Sequence, residues 1–257
     1  MTKVYLPWLG EFGSELLRWV PKVNADNDEK IVCYEKGKEC LYPTGTSHVV
    51  QRIKEQERKC AGSINQNNIF DEIKQLYPCC EYIMPSTTDG LQYADAIFDP
   101  VIKNEYDFDC DIAIFPRWRH NSKRLNWEGW INFLSLLRAN GYSVFACGHP
   151  DSSFKLNCPC AWDYNNPLEA SIWAIKHSKI RIGLMTALTV LSLYCEKRPW
   201  ILTTERGMKC NIGKDAPSYN YFWFADWKKV GWRTYPFLNN YIKMIPFIEE
   251  QLCVLES

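Results

Sequence analysis

Short apolar runs alternate with stretches in which apolar side chains recur every three or four positions. That alternation predicts strands interleaved with helices. Near the amino terminus, 4–6 and 31–34 read as strands. Between them Leu16, Leu17, Val20 and Val23 fall at helical spacing, with Ser14 placed to cap the helix and Pro21 expected to limit or kink it. From 37 to 64 the pattern is weak, and 51–59 is polar. A short helix is expected over 69–77 and strand pieces over 81–84 and 94–98. The polar, acidic stretch 99–109 reads as a linker.

The second half is more regular. Residues 111–115 form a strong apolar strand, 116–126 a basic loop, and 127–140 a helix with Trp130, Phe133, Leu134 and Leu137 on one face, ended by Gly141. A strand over 142–147, a turn at Gly148, a strand piece over 161–163 and a helix over 167–177 with Pro at its first turn follow. The strand 179–182, a helix from Thr186 and the strand 200–203 complete a β-α-β-α-β-α-β series, the pattern of a parallel sheet covered by helices. Residues 219–232 are aromatic-rich and irregular, and 235–255 is expected to be mainly helical, interrupted at Pro246. Two predicted turns lie at carboxyl ends of strands, Gly10-Glu11 and the start of the Thr186 helix. A helix beginning there directs backbone N–H groups and its positive dipole end at a ligand, which suits a phosphate or pyrophosphate.

Composition narrows the classes. The 257 residues are 46% hydrophobic and 23% charged, values of a soluble globular protein. A net charge of zero provides no global field for nucleic acid or anionic membrane, although the basic loop can act locally. No run approaches the ~18 apolar residues of a membrane span, and the opening apolar stretch is too short for a signal peptide, so a cytoplasmic location is expected. The 12 cysteines are scattered and show no pair of Cys-x-x-Cys motifs; reduced thiols are expected. Cys79-Cys80 with Cys158-x-Cys160 is the one set spaced to offer thiolates to a metal, and no metal or cofactor is expected. There is no Gly-x-x-x-x-Gly-Lys-Ser/Thr phosphate loop.

Three segments carry a family resemblance. The first is Leu9-Gly-Glu-Phe-Gly-Ser-Glu-Leu-Leu-Arg-Trp-Val-Pro21. The second is the strand, basic loop and Trp-bearing helix from Ile112 to Trp130. The third is 175–199, which contains Thr186, Ala187 and Thr189. Together they resemble the heptosyltransferase-like glycosyltransferases of the GT-B fold, over roughly a third of the chain. The resemblance implies two Rossmann-like α/β domains facing across a cleft, with a C-terminal helix able to cross back to the N-terminal domain. It places an acceptor-side domain at 1–105, a nucleotide-sugar donor domain at 106–240 and the C-terminal helix at 241–257. It makes Glu11, standing where the family has Asp, the catalytic base, and Lys123 or Arg124 the donor-phosphate cation. This chain departs from the family pattern at Met185 for Asp, Ala187 for Gly and Val190 for His, which removes side-chain contacts to the donor.

The expected chemistry is transfer of a sugar from a nucleotide-diphosphate donor to a hydroxyl, inverting and metal-independent. Glu11 is the base, with Glu15 the second candidate. Arg117 and Lys123 stabilise the leaving diphosphate, and Thr186, Ala187 and Leu188 bind it through backbone N–H groups. Gly148, Asp163 and Glu205 fall where this fold holds base and ribose. Trp8 and Phe12 are placed against the acceptor, a glycan, a glycolipid or a hydroxylated DNA base. The competing expectation is a non-catalytic nucleotide- or nucleic-acid-binding α/β module.

Overall fold

A computed structural model describes residues 1–10, 12–51, 66–85, 99–118, 126–184, 186–202, 233–235 and 240–256. The chain divides into two compact units, Met1–Lys103 and Asn104–Ser257.

The first unit contains β1 (Lys3–Tyr5), helix α1 (12–25), β2 (Lys30–Glu35), β3 (Thr46–Val50), α2 (Gln66–Leu76) and β4 (Glu81–Ile83). All its strands are parallel, in the order β3-β2-β1-β4. Val4, Leu6, Leu9 and Cys33 pack with Phe70 and Ile73 of α2 to make the core. Helix α1 is α-helical over Phe12–Ser14, a π-helix over Glu15–Trp19 and α-helical again over Val20–Ala25. Pro21 explains the wide turn: it lacks an N–H and its ring crowds the carbonyl four residues back, so the preceding turn loosens instead of ending. Ser14 is not a cap. It is itself helical (φ −71°, ψ −34°) and makes no capping bond, because the helix starts earlier, at Phe12. Strand β3 pairs with β2 from Ile31↔Thr46 to Glu35↔Val50. Its mostly exposed side chains lack the apolar run by which a strand is read.

The second unit contains β5 (Ile112–Phe115), α3 (Trp130–Ala139), β6 (Val144–Ala146), α4 (Pro167–His177), β7 (Ile180–Gly183), α5 (Ala187–Tyr194), β8 (Pro199–Leu202), β9 (Arg233–Tyr235) and α6 (Ile245–Glu256). The parallel order is β6-β5-β7-β8-β9. Strands β5, β6 and β8 are buried along their whole length, as strands of a parallel sheet covered on both faces must be. One core cluster joins Ile112, Ile114, Trp130, Phe133, Ile182, Trp200, Met244 and Ile248. Gly141 ends α3 at φ +82°, and Asn166 caps α4 by accepting from the Glu169 N–H.

Several expectations are corrected here. Residues 161–163 form a 3-10 turn, not a strand; the strand-like contact is one residue earlier, where Cys160 bridges Ala146. Pro246 is the second residue of α6, a position that tolerates its missing N–H, so it opens that helix instead of interrupting it. Met244 and Ile248 bring the start of α6 into the second unit's core. Part of the expected linker is packed: Phe108 stacks on Phe145 at 4.1 Å, and Tyr106 meets Tyr164 and Trp173. The expected strand 94–98 and the polar stretch 52–59 lie outside the described residues.

Strand order reverses direction at one place in each sheet. In the first unit β1 lies between β2 and β4; in the second, β5 lies between β6 and β7. Ligands of open α/β sheets bind outside the carboxyl ends of the strands at such points. Those points select the turn after β1 and the paired turns after β5 and β7.

Candidate active site

The carboxyl ends of β5 and β7 approach closely. Phe115 is in register with Gly183, and a Cβ on Gly183 would stand 2.5 Å from the Phe115 Cβ. Glycine there allows the two turns to leave the sheet side by side. After β5, Arg117 forms an antiparallel bridge with Ser153, while Trp118 N–H donates to Ser152 O at 2.8 Å and Phe154 N–H to Pro116 O at 2.6 Å. The 148–154 turn is thereby tied to the strand end that carries Arg117. Gly148 has φ +135°, and a Cβ on it would strike Ser153 Oγ at 2.2 Å and lie 3.9 Å from Leu188 Cδ1. Its N–H donates to Ser171 Oγ at 3.0 Å. The 148–154 turn thus meets Arg117 through the Ser153 bridge and Leu188 through Gly148, and Thr186, Ala187 and Leu188 are half-buried.

The α5 amino terminus is partly occupied by its own side chains. Thr186 Oγ1 accepts from Leu188 N–H at 3.2 Å, Thr189 Oγ1 accepts from Thr186 N–H at 3.2 Å, and Thr189 N–H donates to Thr186 O at 3.1 Å. This is a capping box built with Thr at its last position. Of the N–H groups expected to face a diphosphate, only that of Ala187 makes no bond among the described residues. Thr189 Oγ1 also donates to Leu184 O at 3.0 Å and is buried, which makes Thr189 a structural residue of the turn.

In the first unit, the turn after β1 runs into α1. Glu11 lies outside the described residues. Trp8 is 3% exposed, so its ring serves packing and does not offer a face to an acceptor. Phe12 is half-buried, and Lys38 Nζ stands over its ring at 5.5 Å. Glu15 is buried, and its carboxylate accepts from Lys38 Nζ and, at 2.8 Å, from the Tyr42 hydroxyl. Lys38 also pairs with Glu35 at 2.5 Å. Burial pushes the Glu15 carboxyl above its ordinary range; Lys38 pulls it down and Glu35 pushes it up again. Lys38, Glu35 and Tyr42 carry no signal of their own in the sequence, since only the fold of 35–42 brings them onto Glu15.

Asp163 accepts from Cys160 Sγ at 2.9 Å, next to β6, and no described contact joins it to Thr186. Lys123 and Glu205 lie outside the described residues, as do Arg124 and Met185. Among the described residues, no three His, Cys, Asp or Glu side chains are arranged to hold a metal. An open groove of about 370 Å³ lies elsewhere, lined by Lys3, Tyr5, Lys22, Asp26 and Glu81 among others. It runs along one face of β1 and β4 in the first unit, from Lys3 and Glu81 to Tyr5 and Ile83.

No family model matches the chain, and no curated protein matches its sequence. Solved structures are similar to it in fold. The heptosyltransferase WaaC of E. coli with ADP matches with a TM-score of 0.55 at 10% identity, over 97% of this chain and 99% of that one. A glycosyl transferase family 9 protein from Veillonella parvula DSM 2008 matches with a TM-score of 0.50 at 8% identity, over 79% of this chain and 80% of that one. The iron-containing dodecameric glycosyltransferase TibC from enterotoxigenic E. coli H10407 matches with a TM-score of 0.50 at 11% identity. That match covers 85% of this chain and 61% of TibC, so the chain spans about three fifths of that protein's length. The likeness is one of fold: the chain has the α/β architecture of GT-B glycosyltransferases and a remote resemblance to the heptosyltransferases.

Proposed function

We propose that the chain is a glycosyltransferase that moves a sugar from a nucleotide-diphosphate donor to a hydroxyl acceptor, with inversion and without a metal. The observation that carries this reading is the convergence of Arg117, Gly148 and the α5 amino terminus at the point where the second sheet reverses. A cationic residue at the end of β5, joined through the 148–154 turn to a helix amino terminus, suits the negative charge that grows on a leaving nucleoside diphosphate. Glu11, which follows Gly10 in the sequence, is the group that takes the proton from the acceptor hydroxyl. Because one neighbour of this fold was solved with ADP, adenosine diphosphate sugars are the first donors to try.

The test is a thermal-shift screen over ADP, UDP and GDP and their sugars, followed by turnover of whichever binds. Binding with turnover that falls about 100-fold or more in Glu11→Gln supports transfer with Glu11 as base. No shift with any nucleotide overturns the donor site. A second reading, a non-catalytic nucleotide-binding module, draws on the capping box that occupies the α5 amino terminus. Binding without turnover, unchanged by Glu11→Gln, decides for it.

A further inference from the structure

Among the described residues of the first unit, the buried charges other than Lys30 meet at one point. Glu35, the last residue of β2, and Glu15, at the start of the π-turn of α1, both bond to the Lys38 ammonium. Gly37 (φ +90°) and the hydrogen bonds Lys38 N–H to Glu35 O and Tyr42 N–H to Glu39 O fold 35–42 back, so that Lys38 and Tyr42 both reach Glu15. Desolvating three charges is costly, and well-packed apolar residues in such a place are commonly neutral or stabilising. Stability alone therefore gives little reason for the trio. Its location gives a better one. It stands at the carboxyl end of β2, and the face of Lys38 not taken by carboxylates rests on the ring of Phe12, the residue after Glu11.

We propose that Lys38 is a positioning residue for sugar transfer: clamped between Glu15 and Glu35, its ammonium holds the Phe12 ring and with it the turn that carries Glu11. The inference rests on the transferase reading for its kinetic consequence, but not for the holding of the turn. Lys38 touches no substrate in this scheme. It fixes Phe12, the residue joined to Glu11 in the chain, and a base displaced by about 1 Å can lose on the order of 100-fold in rate.

Three apolar substitutions made together (Glu15→Met, Glu35→Met, Lys38→Met) remove every charge and leave none unpaired. Thermal unfolding, kcat, donor KM and hydrogen–deuterium exchange of the amides of 10–15 are then compared with the parent chain. The expected result is a melting temperature close to the parent's, exchange over 10–15 faster by about 10-fold, kcat lower by 10- to 100-fold and donor KM within about twofold. Phe12→Leu, which keeps all three charges, should reproduce the kcat loss and the faster exchange, and it carries the test if the triple variant does not fold. Parent-like kcat or parent-like exchange in the folded variants overturns the proposal. If the parent chain itself transfers no sugar, the transferase reading fails on that result. The exchange data then decide separately whether Lys38 holds the turn.

Discussion

Two carboxylates of the first unit respond to the fold in opposite directions. Burial pushes Asp26 up, but the Tyr5 hydroxyl at 2.5 Å, the Asp28 N–H at 2.9 Å and Lys3 at 2.9 Å outweigh it and hold the carboxyl at about 2. A folded value below the ordinary 3.8 means that Asp26 stabilises the fold above that pH and that the contribution is lost as pH falls through about 2. Asp26→Asn should therefore lower the urea midpoint at pH 7 and flatten its decline between pH 4 and 2. An unchanged acid limb would rule the assignment out. Glu15 is shifted the other way, because burial favours its neutral form. Its contribution is present below the ordinary value of 4.5 and fades as pH rises through the higher folded value. Glu15→Gln should thus gain on the parent chain as pH rises from 4 to 8, measured by the same urea midpoints. A constant difference across that range contradicts the raised value.

At the scale of elements, α5 carries the clearest prediction. Thr186→Ala removes the side chain that accepts from Leu188 N–H and should cost about 1 kcal/mol of stability in the free protein. The same change releases that N–H toward a phosphate, so the deficit should shrink when a bound nucleoside diphosphate is present. Chemical denaturation with and without ADP checks both halves; an equal deficit means that the diphosphate does not reach this terminus. The start of α5 was legible because it is local: Thr186 follows closely on an apolar strand and the Gly183 turn. The same holds for β5, β7, β8 and α4, whose apolar runs and Asn-Pro start are set within a few residues. What escaped the sequence depends on distant partners. Strand β3 is an exposed edge defined only by pairing with β2, and the π-turn of α1 answers to Pro21 within a packed helix. The Glu15–Lys38 contact joins residues 23 apart through a turn whose path the sequence does not announce. The candidate donor site was therefore read in outline from Arg117, Gly148 and Thr186. The charged cluster of the first unit was not, nor was the bond that Asp163 accepts from Cys160 Sγ, which depends on the 3-10 turn between them.

At the scale of the molecule, the net charge is zero, so attraction of an anionic donor must come from the local arrangement and not from a global field. The two sheets each present a reversal point, and the proposed division of labour assigns the nucleotide to the second alone. A saturating nucleoside diphosphate, at about 100 times its Kd, should stabilise the protein by roughly 2.7 kcal/mol. Slowed hydrogen exchange should concentrate in 116–118, 148–154 and 183–188. Peptides of Met1–Lys103, including those around the groove of Lys3, Tyr5 and Asp26, should exchange as before. Arg117→Ala should weaken binding about 10-fold and lessen its dependence on salt, since a charge-assisted contact of ~1.5 kcal/mol or more is lost. Protection appearing instead in the first unit would move the donor to the other sheet. The turn after β1, with Glu11 and its Lys38 support, would then have to be read as a phosphate site and not as the place where the acceptor loses its proton.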